Sequence, residues 1–108
     1  MIKTDGNIIF LGGKKIKVKY SIKKILEFGS AVVILMYDDV MPPNNVLALD
    51  SQGNVLWMIN DILRVHKPTG NVNIEKISDN ILYVYSGLGI IFVIGVEEKR
   101  CIKKIYVR

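Results

Sequence analysis

Side chains that could do chemistry are scarce in this chain. His66 is the only histidine, and no Gly-x-Ser-x-Gly segment supplies a nucleophile for it. Asp38 and Asp61 are carboxylates with which His66 could act as a general base, but no motif brings them together. A lone histidine between Arg64 and Lys67 is typical of a surface loop. We therefore predict that the protein is not an enzyme.

The single cysteine, Cys101, excludes an intramolecular disulfide and a cysteine-based metal site. Lys99 and Arg100 would lower the pKa of this thiol if it were exposed, whereas the alternation in 100–103 predicts a small buried side chain. The use of one cysteine is typical of a reducing compartment. No apolar run approaches the roughly 20 residues of a membrane helix. We predict a cytoplasmic protein that does not bind a membrane.

The longest loop of the predicted fold, Asp38–Asn45, begins with two adjacent carboxylates. Its oxygens are too few for a calcium loop of the EF-hand type, so we expect neither a metal nor a cofactor. Long loops on a regular scaffold often carry function. The predicted binding surface consists of Asp38, Asp39, Met41, Arg64 and His66.

Lysines dominate the segment 14–24, in a chain with a net charge of +5 and a pI near 9.4. Along 15–20 they alternate with apolar residues, which predicts a strand with one lysine face and one buried face. The predicted basic patch consists of Lys15, Lys17, Lys19, Lys23 and Lys24. Such a patch suits a phosphate backbone, but no exposed aromatic residues are expected between the lysines. Lysines on an edge strand also prevent sheets from aggregating edge to edge.

Turn-forming residues punctuate the chain at short intervals and predict an all-β fold. Between them lie runs of about 5–8 residues rich in β-branched and aromatic types. We expect an antiparallel meander of about 8–10 short strands, in two packed sheets that form a sandwich or an incomplete β-propeller. A small β-barrel is the alternative. Ala31–Tyr37 and Ile90–Ile94 are apolar throughout, which predicts strands covered on both faces.

One layout of arms and turns occurs twice, within a single predicted domain of residues 1–108. An N-terminal hairpin at 7–20 precedes a four-strand meander at 22–59 and a second at 71–107. This repeat favours a strand for Ser21–Gly29, although its serine and glycine also fit the two ends of a helix. The segment Asn60–His66 fits either one or two helical turns or a loop.

The segment Val46–Trp57 predicts a hairpin whose polar residues hold its turn. Asp50 can accept hydrogen bonds from turn amides, and Gly53 supplies a left-handed residue. Trp57 adds a large apolar surface to the core. Ala48, Asp50, Gly53 and Trp57 resemble the outer-strand signature of quinoprotein-type β-propeller blades. The second copy lacks the aspartate and the tryptophan, and no quinoprotein cofactor-binding residue is matched, so this resemblance implies only the fold.

These features together predict a non-enzymatic binding module. We expect a protein partner, contacted through sheet edges or through the loop Asp38–Asn45, and exposed edges would favour a homodimer. The chain is similar to small bacterial all-β proteins with blade-like hairpins, and one version of the hypothesis is an immunity or accessory protein of a toxin system. The positive charge suits an acidic partner. The alternative is a nucleic-acid-binding domain that uses the lysine-rich strand face.

Overall fold

The strands group into three open antiparallel meanders. The computed structural model describes residues 2–37, 43–64 and 70–107, and these ranges hold eleven strands and one five-residue helix. Within each sheet the strands lie side by side in chain order. The all-β prediction is confirmed. None of the three sheets closes on itself, so the alternative of a small barrel is wrong.

Each sheet takes up one stretch of the chain. Sheet A contains β1 (Lys3–Asp5), β2 (Ile8–Leu11) and β3 (Lys14–Lys17). Sheet B contains β4 (Ile22–Glu27), β5 (Val32–Met36), β6 (Val46–Leu49) and β7 (Val55–Met58). The helix α1 (Ile59–Leu63) follows. Sheet C contains β8 (Asn71–Lys76), β9 (Ile81–Ser86), β10 (Ile90–Gly95) and β11 (Arg100–Tyr106).

Sheet B lies between the other two sheets and is buried on both faces. In β5, Val33 and Leu35 belong to the core shared with sheet C, whereas Ile34 and Met36 belong to the core shared with sheet A. Successive side chains of a strand point to opposite faces, so only a fully apolar run can form such a strand. The prediction that Ala31–Tyr37 is covered on both faces is confirmed for β5.

The strand β10 does not repeat this double burial. Phe92 and Ile94 belong to the core between sheets B and C, but Ile91 is only half-buried. Val93 is buried, with Tyr83 and Lys103 as its cross-strand neighbours, but it belongs to neither of the two cores between the sheets. The expectation that Ile90–Ile94 is covered on both faces is therefore wrong in part, because the described residues place no further layer on sheet C.

The two ambiguous segments take different structures. Ser21–Gly29 contains the strand β4, which confirms the strand prediction. Of the segment Asn60–His66, the described residues continue the helix α1 to Leu63, and the helix ends where Arg64 adopts the left-handed conformation with a φ of 51°; residues 65 and 66 lie outside the described residues. The described part of the chain has no helix that is long and apolar enough to cross a membrane.

A buried pair of asparagines joins sheets B and C. Asn45, before β6, and Asn71, at the start of β8, are 1% and 4% exposed. The Nδ2 of Asn45 donates to the Asn71 carbonyl at 2.8 Å and to the Met36 carbonyl at 3.0 Å. Its Oδ1 accepts from the backbone N–H and the Nδ2 of Asn71 at 3.2 and 3.0 Å. One side chain therefore fixes the beginning of β8 against the end of β5.

Replacement of Asn45 by alanine should lower the free energy of unfolding by about 3 kcal/mol, because each buried polar group left unpaired costs about 1–3 kcal/mol. Urea denaturation followed by Trp57 fluorescence measures the change. Gln52→Ala is the control, since this exposed side chain bonds only the Lys14 ammonium and should change stability by less than about 0.5 kcal/mol. Equal effects of the two substitutions would contradict a structural role for Asn45.

Candidate functional site

The predicted loop surface lies mostly outside the described residues, which exclude Asp38, Asp39, Met41 and His66. Its remaining member, Arg64, forms the C-terminal cap of α1, where its backbone N–H donates to the Asn60 carbonyl at 3.1 Å. The Nδ2 of Asn60 in turn donates to the Pro43 carbonyl at 2.7 Å. These contacts attach α1 to the segment that leads into β6. The backbone of Arg64 thus has the structural role of ending the helix.

The predicted lysine patch is divided between two surfaces. Lys15 and Lys17 are exposed on β3, and Lys19 follows with its Nζ 5.6 Å from the centroid of the Tyr20 ring. The side chains of Lys15 and Lys17 lie on the face of sheet A opposite to Ile16, which packs against the core. These three lysines therefore remain available to a partner.

Lys23 and Lys24 instead join sheet B to sheet C. The Nζ of Lys24 donates to the Ile74 carbonyl at 2.7 Å and to Asn73 Oδ1 at 3.1 Å, and the Nζ of Lys23 donates to the Val72 carbonyl at 3.3 Å. In the reverse direction, the Nζ of Lys76 donates to the Glu27 carbonyl at 2.9 Å. These lysines bridge the edges of β4 and β8, so they do not extend the basic face of β3.

Phe10 adds an exposed aromatic ring to the lysine face of sheet A. Its neighbours Ile9 and Leu11 are buried, whereas Phe10 is 42% exposed. The strand register places it opposite Lys15 on one side and Lys3 on the other. The expectation that no exposed aromatic residue lies among the lysines is therefore wrong, since strand pairing brings Phe10 between them.

An apolar cleft of about 280 Å³ opens between sheets A and B, beside β3. It is lined by Ile16, Lys17, Val18, Lys19, Leu47, Leu49, Gly53, Val55 and Met58. Val55, on the edge strand β7, is 59% exposed at its rim. Gly53 has a φ of +87°, and a Cβ there would collide with the side chain of Ile16. The positive φ and the close approach to Ile16 therefore both favour glycine at residue 53, where the turn between β6 and β7 packs against β3.

The backbone groups of β3 alternate between the edge that pairs with β2 and the opposite edge, which borders this cleft. The Val18 N–H donates to the Asn7 carbonyl at 2.8 Å, and the Asn7 Nδ2 donates to the Val18 carbonyl at 3.0 Å. Residues with this orientation alternate along an antiparallel strand with residues whose N–H and C=O point the other way. Lys15 and Lys17 therefore direct theirs away from β2, where no described strand pairs with β3.

The hairpin that forms the other wall of the cleft is held as the sequence predicts. Asp50 Oδ1 accepts from the backbone N–H groups of Asn54 and Gln52, each at 2.9 Å, and Oδ2 accepts from the Asn54 Nδ2 at 3.1 Å. These bonds, led by those from Asn54, lower the pKa of Asp50 from its usual 3.8. Trp57 is buried and its Nε1 donates to the Val96 carbonyl at 3.2 Å. Both residues therefore have structural roles.

Asp50→Ala should lower the melting temperature at neutral pH, because the turn amides lose their acceptor. Since the folded state has the lower pKa, the carboxylate stabilises the protein fully above its unfolded pKa and loses this effect as the pH falls through the folded pKa. The difference between wild type and variant should therefore shrink as the pH falls below the unfolded pKa and through the folded one. Thermal melts across the acid range measure it, and a difference independent of pH would contradict a role for the carboxylate charge.

Among the described residues, Cys101 is the one cysteine whose reactivity can be judged from its surroundings. Cys101 is half-buried, and burial raises the pKa of its thiol, which reduces the thiolate fraction and hence the nucleophilicity. Among the residues that the structure describes, no group of three His, Cys, Asp or Glu side chains could hold a metal ion.

Comparison with known proteins places the chain in a family. Residues 1–90 match the model of a domain of unknown function, DUF7957. The chain belongs to the DUF7957 family. The DUF7957 match includes sheets A and B, and therefore the lysine face and the cleft, and it ends at the first residue of β10. No curated protein and no solved structure matches the chain. The resemblance to quinoprotein-type blades stays a prediction.

Proposed function

We propose that this DUF7957 chain is a non-enzymatic protein-binding module that uses the free edge of β3 and the cleft beside it. One observation carries the proposal: an edge of β3 with which no strand of the described residues pairs borders an open apolar cleft, lined by Ile16 and Val18 on one side and by Val55 on the other. Free strand edges pair readily with other chains. An apolar groove beside such an edge adds pockets for side chains, as in known modes of peptide recognition.

The charge of the edge favours an acidic partner. Lys15, Lys17 and Lys19 surround it in a chain of net charge +5, and complementary charge increases both specificity and association rate. Two copies paired through β3 would bring lysines opposite lysines, which is unfavourable. A homodimer through this edge is therefore disfavoured. In the toxin-system version of the proposal, the acidic partner is a toxin encoded by a neighbouring gene.

Crosslinking in the native cell tests this proposal. A photoreactive amino acid at Val55 should form protein adducts, and Lys15→Glu/Lys17→Glu in the same chain should suppress them, because the edge would then repel an acidic partner. The same probe at Leu88 is the control, since that side chain is 70% exposed but lies in the turn between β9 and β10. Adducts that are equal at both positions, or insensitive to charge reversal, would argue against binding at β3.

A second candidate function, single-stranded nucleic-acid binding, is favoured by the position of Phe10. An exposed ring between Lys3 and Lys15 resembles the combination of stacking platform and basic surface that such proteins use. This surface is the outer face of sheet A, whereas the cleft lies on the side of sheet A that faces sheet B.

If nucleic acid is the ligand, a labelled single-stranded oligonucleotide should bind at low salt, and its affinity should fall steeply as the salt rises. Phe10→Ala should weaken binding by about tenfold, because stacking contributes about 1–3 kcal/mol per base. Fluorescence anisotropy measures both effects, and Val55→Ala serves as the control on the other side of sheet A. Absence of binding at low salt would reject this candidate.

A further inference from the structure

We propose, on the basis of the protein-binding function, that the partner supplies an extended segment in which acidic and apolar residues alternate. This segment pairs with β3 as a fourth strand of sheet A. Its backbone bonds the free edge of β3, its apolar side chains fill the cleft, and its acidic side chains lie beside the exposed lysines.

The backbone of β3 offers the pattern of donors and acceptors that a new strand requires. Ile16 and Val18 are oriented towards β2 and its preceding Asn7. Lys15 and Lys17 present their N–H and C=O groups on the other side. An added strand would satisfy these groups without breaking any bond of the existing ladder.

The inner side of the added strand would meet apolar surface. Its side chains on that side would lie beside Ile16 and Val18 and above Leu47, Leu49 and Met58, which line the cleft. An apolar cavity of about 150 Å³ accommodates a benzene molecule. The cleft of about 280 Å³ therefore has room for about two apolar side chains, which are adjacent same-side residues of one strand.

The outer side of the added strand would meet positive charge. Successive side chains of a strand alternate between faces, so the residues between the apolar ones would lie next to Lys15 and Lys17. Directly opposed side chains of neighbouring strands have Cβ atoms about 5 Å apart, and opposite charges there are favourable. Acidic residues at these positions complete the alternating pattern. The same argument disfavours a second copy of β3, which would oppose lysine with lysine.

A blocked peptide of about eight residues, with glutamate alternating with valine or leucine, is the probe. Its binding to the full chain should protect the Lys15 and Lys17 amides from hydrogen exchange, while the Ile16 and Val18 amides, already oriented towards β2, should change little. The control is a peptide of the same composition with its glutamates and its apolar residues in separate blocks, which should bind at least about tenfold more weakly. Protection elsewhere, or equal binding of the two peptides, would overturn the inference.

Proline substitution separates backbone pairing from charge. Lys17→Pro removes an N–H that points away from β2, so the ladder stays intact and the fold should tolerate it. Lys17→Ala is the matched control that loses the charge but keeps the N–H. The proline variant should bind the alternating peptide about tenfold more weakly than the alanine variant. Equal affinities, with both variants showing wild-type melting temperatures, would overturn strand addition.

Charge exchange tests the outer side of the added strand. Lys15→Glu/Lys17→Glu should weaken binding of the glutamate peptide by at least about tenfold and should strengthen binding of the same peptide with lysine for glutamate. An unchanged preference would overturn the acidic pattern. If no alternating peptide binds but crosslinks at Val55 still depend on the two lysines, the protein-binding function stands and strand addition fails. If the chain with the native lysines forms no crosslinks at Val55 either, both proposals are rejected.

Discussion

The burial of sheet B on both faces is the constraint on which the rest of the structure depends. The strands β5 and β6 are apolar on both sides, so each face of this sheet must be covered by another sheet. Sheet C covers one face with four strands, whereas sheet A covers the other with only three. The cleft beside β3 lies where sheet A ends before β7. The candidate site thus exists because sheet A covers its face of sheet B with fewer strands than sheet C uses on the other face.

Most of the strand pattern was accessible from the sequence because turn residues mark its limits. The comparison of the two meanders predicted a strand in Ser21–Gly29 despite its helix-like ends, and the structure has β4 there. The hairpin with Asp50 and Trp57 was also interpreted correctly. The strand β1 was missed because Lys3–Asp5 is fully exposed and carries no apolar alternation. The stacking of three sheets was missed as well, since an apolar run does not specify which layer covers it, as β5 and β10 show.

The candidate site was predicted only in part. Alternation identified Lys15, Lys17 and Lys19 as one face of a strand, but Lys24 bonds a carbonyl 50 positions away, which no local pattern reveals. Phe10 lies in a run of four apolar residues, so its exposure could not be distinguished from that of its neighbours. The cleft combines β3 with the hairpin β6–β7, and its existence depends on how two sheets pack.

Chemical modification of the lysines that bridge β4 and β8 would change the contact between sheets B and C. The ammonium groups of Lys23, Lys24 and Lys76 bond carbonyls on the edge of the opposing sheet, and an amide made by acetylation would lose the charge that strengthens these bonds. Neutralised lysines would leave two further strand edges with unbonded carbonyls. Lysine acetylation would therefore leave the edges of β4 and β8 more open to pairing with another chain.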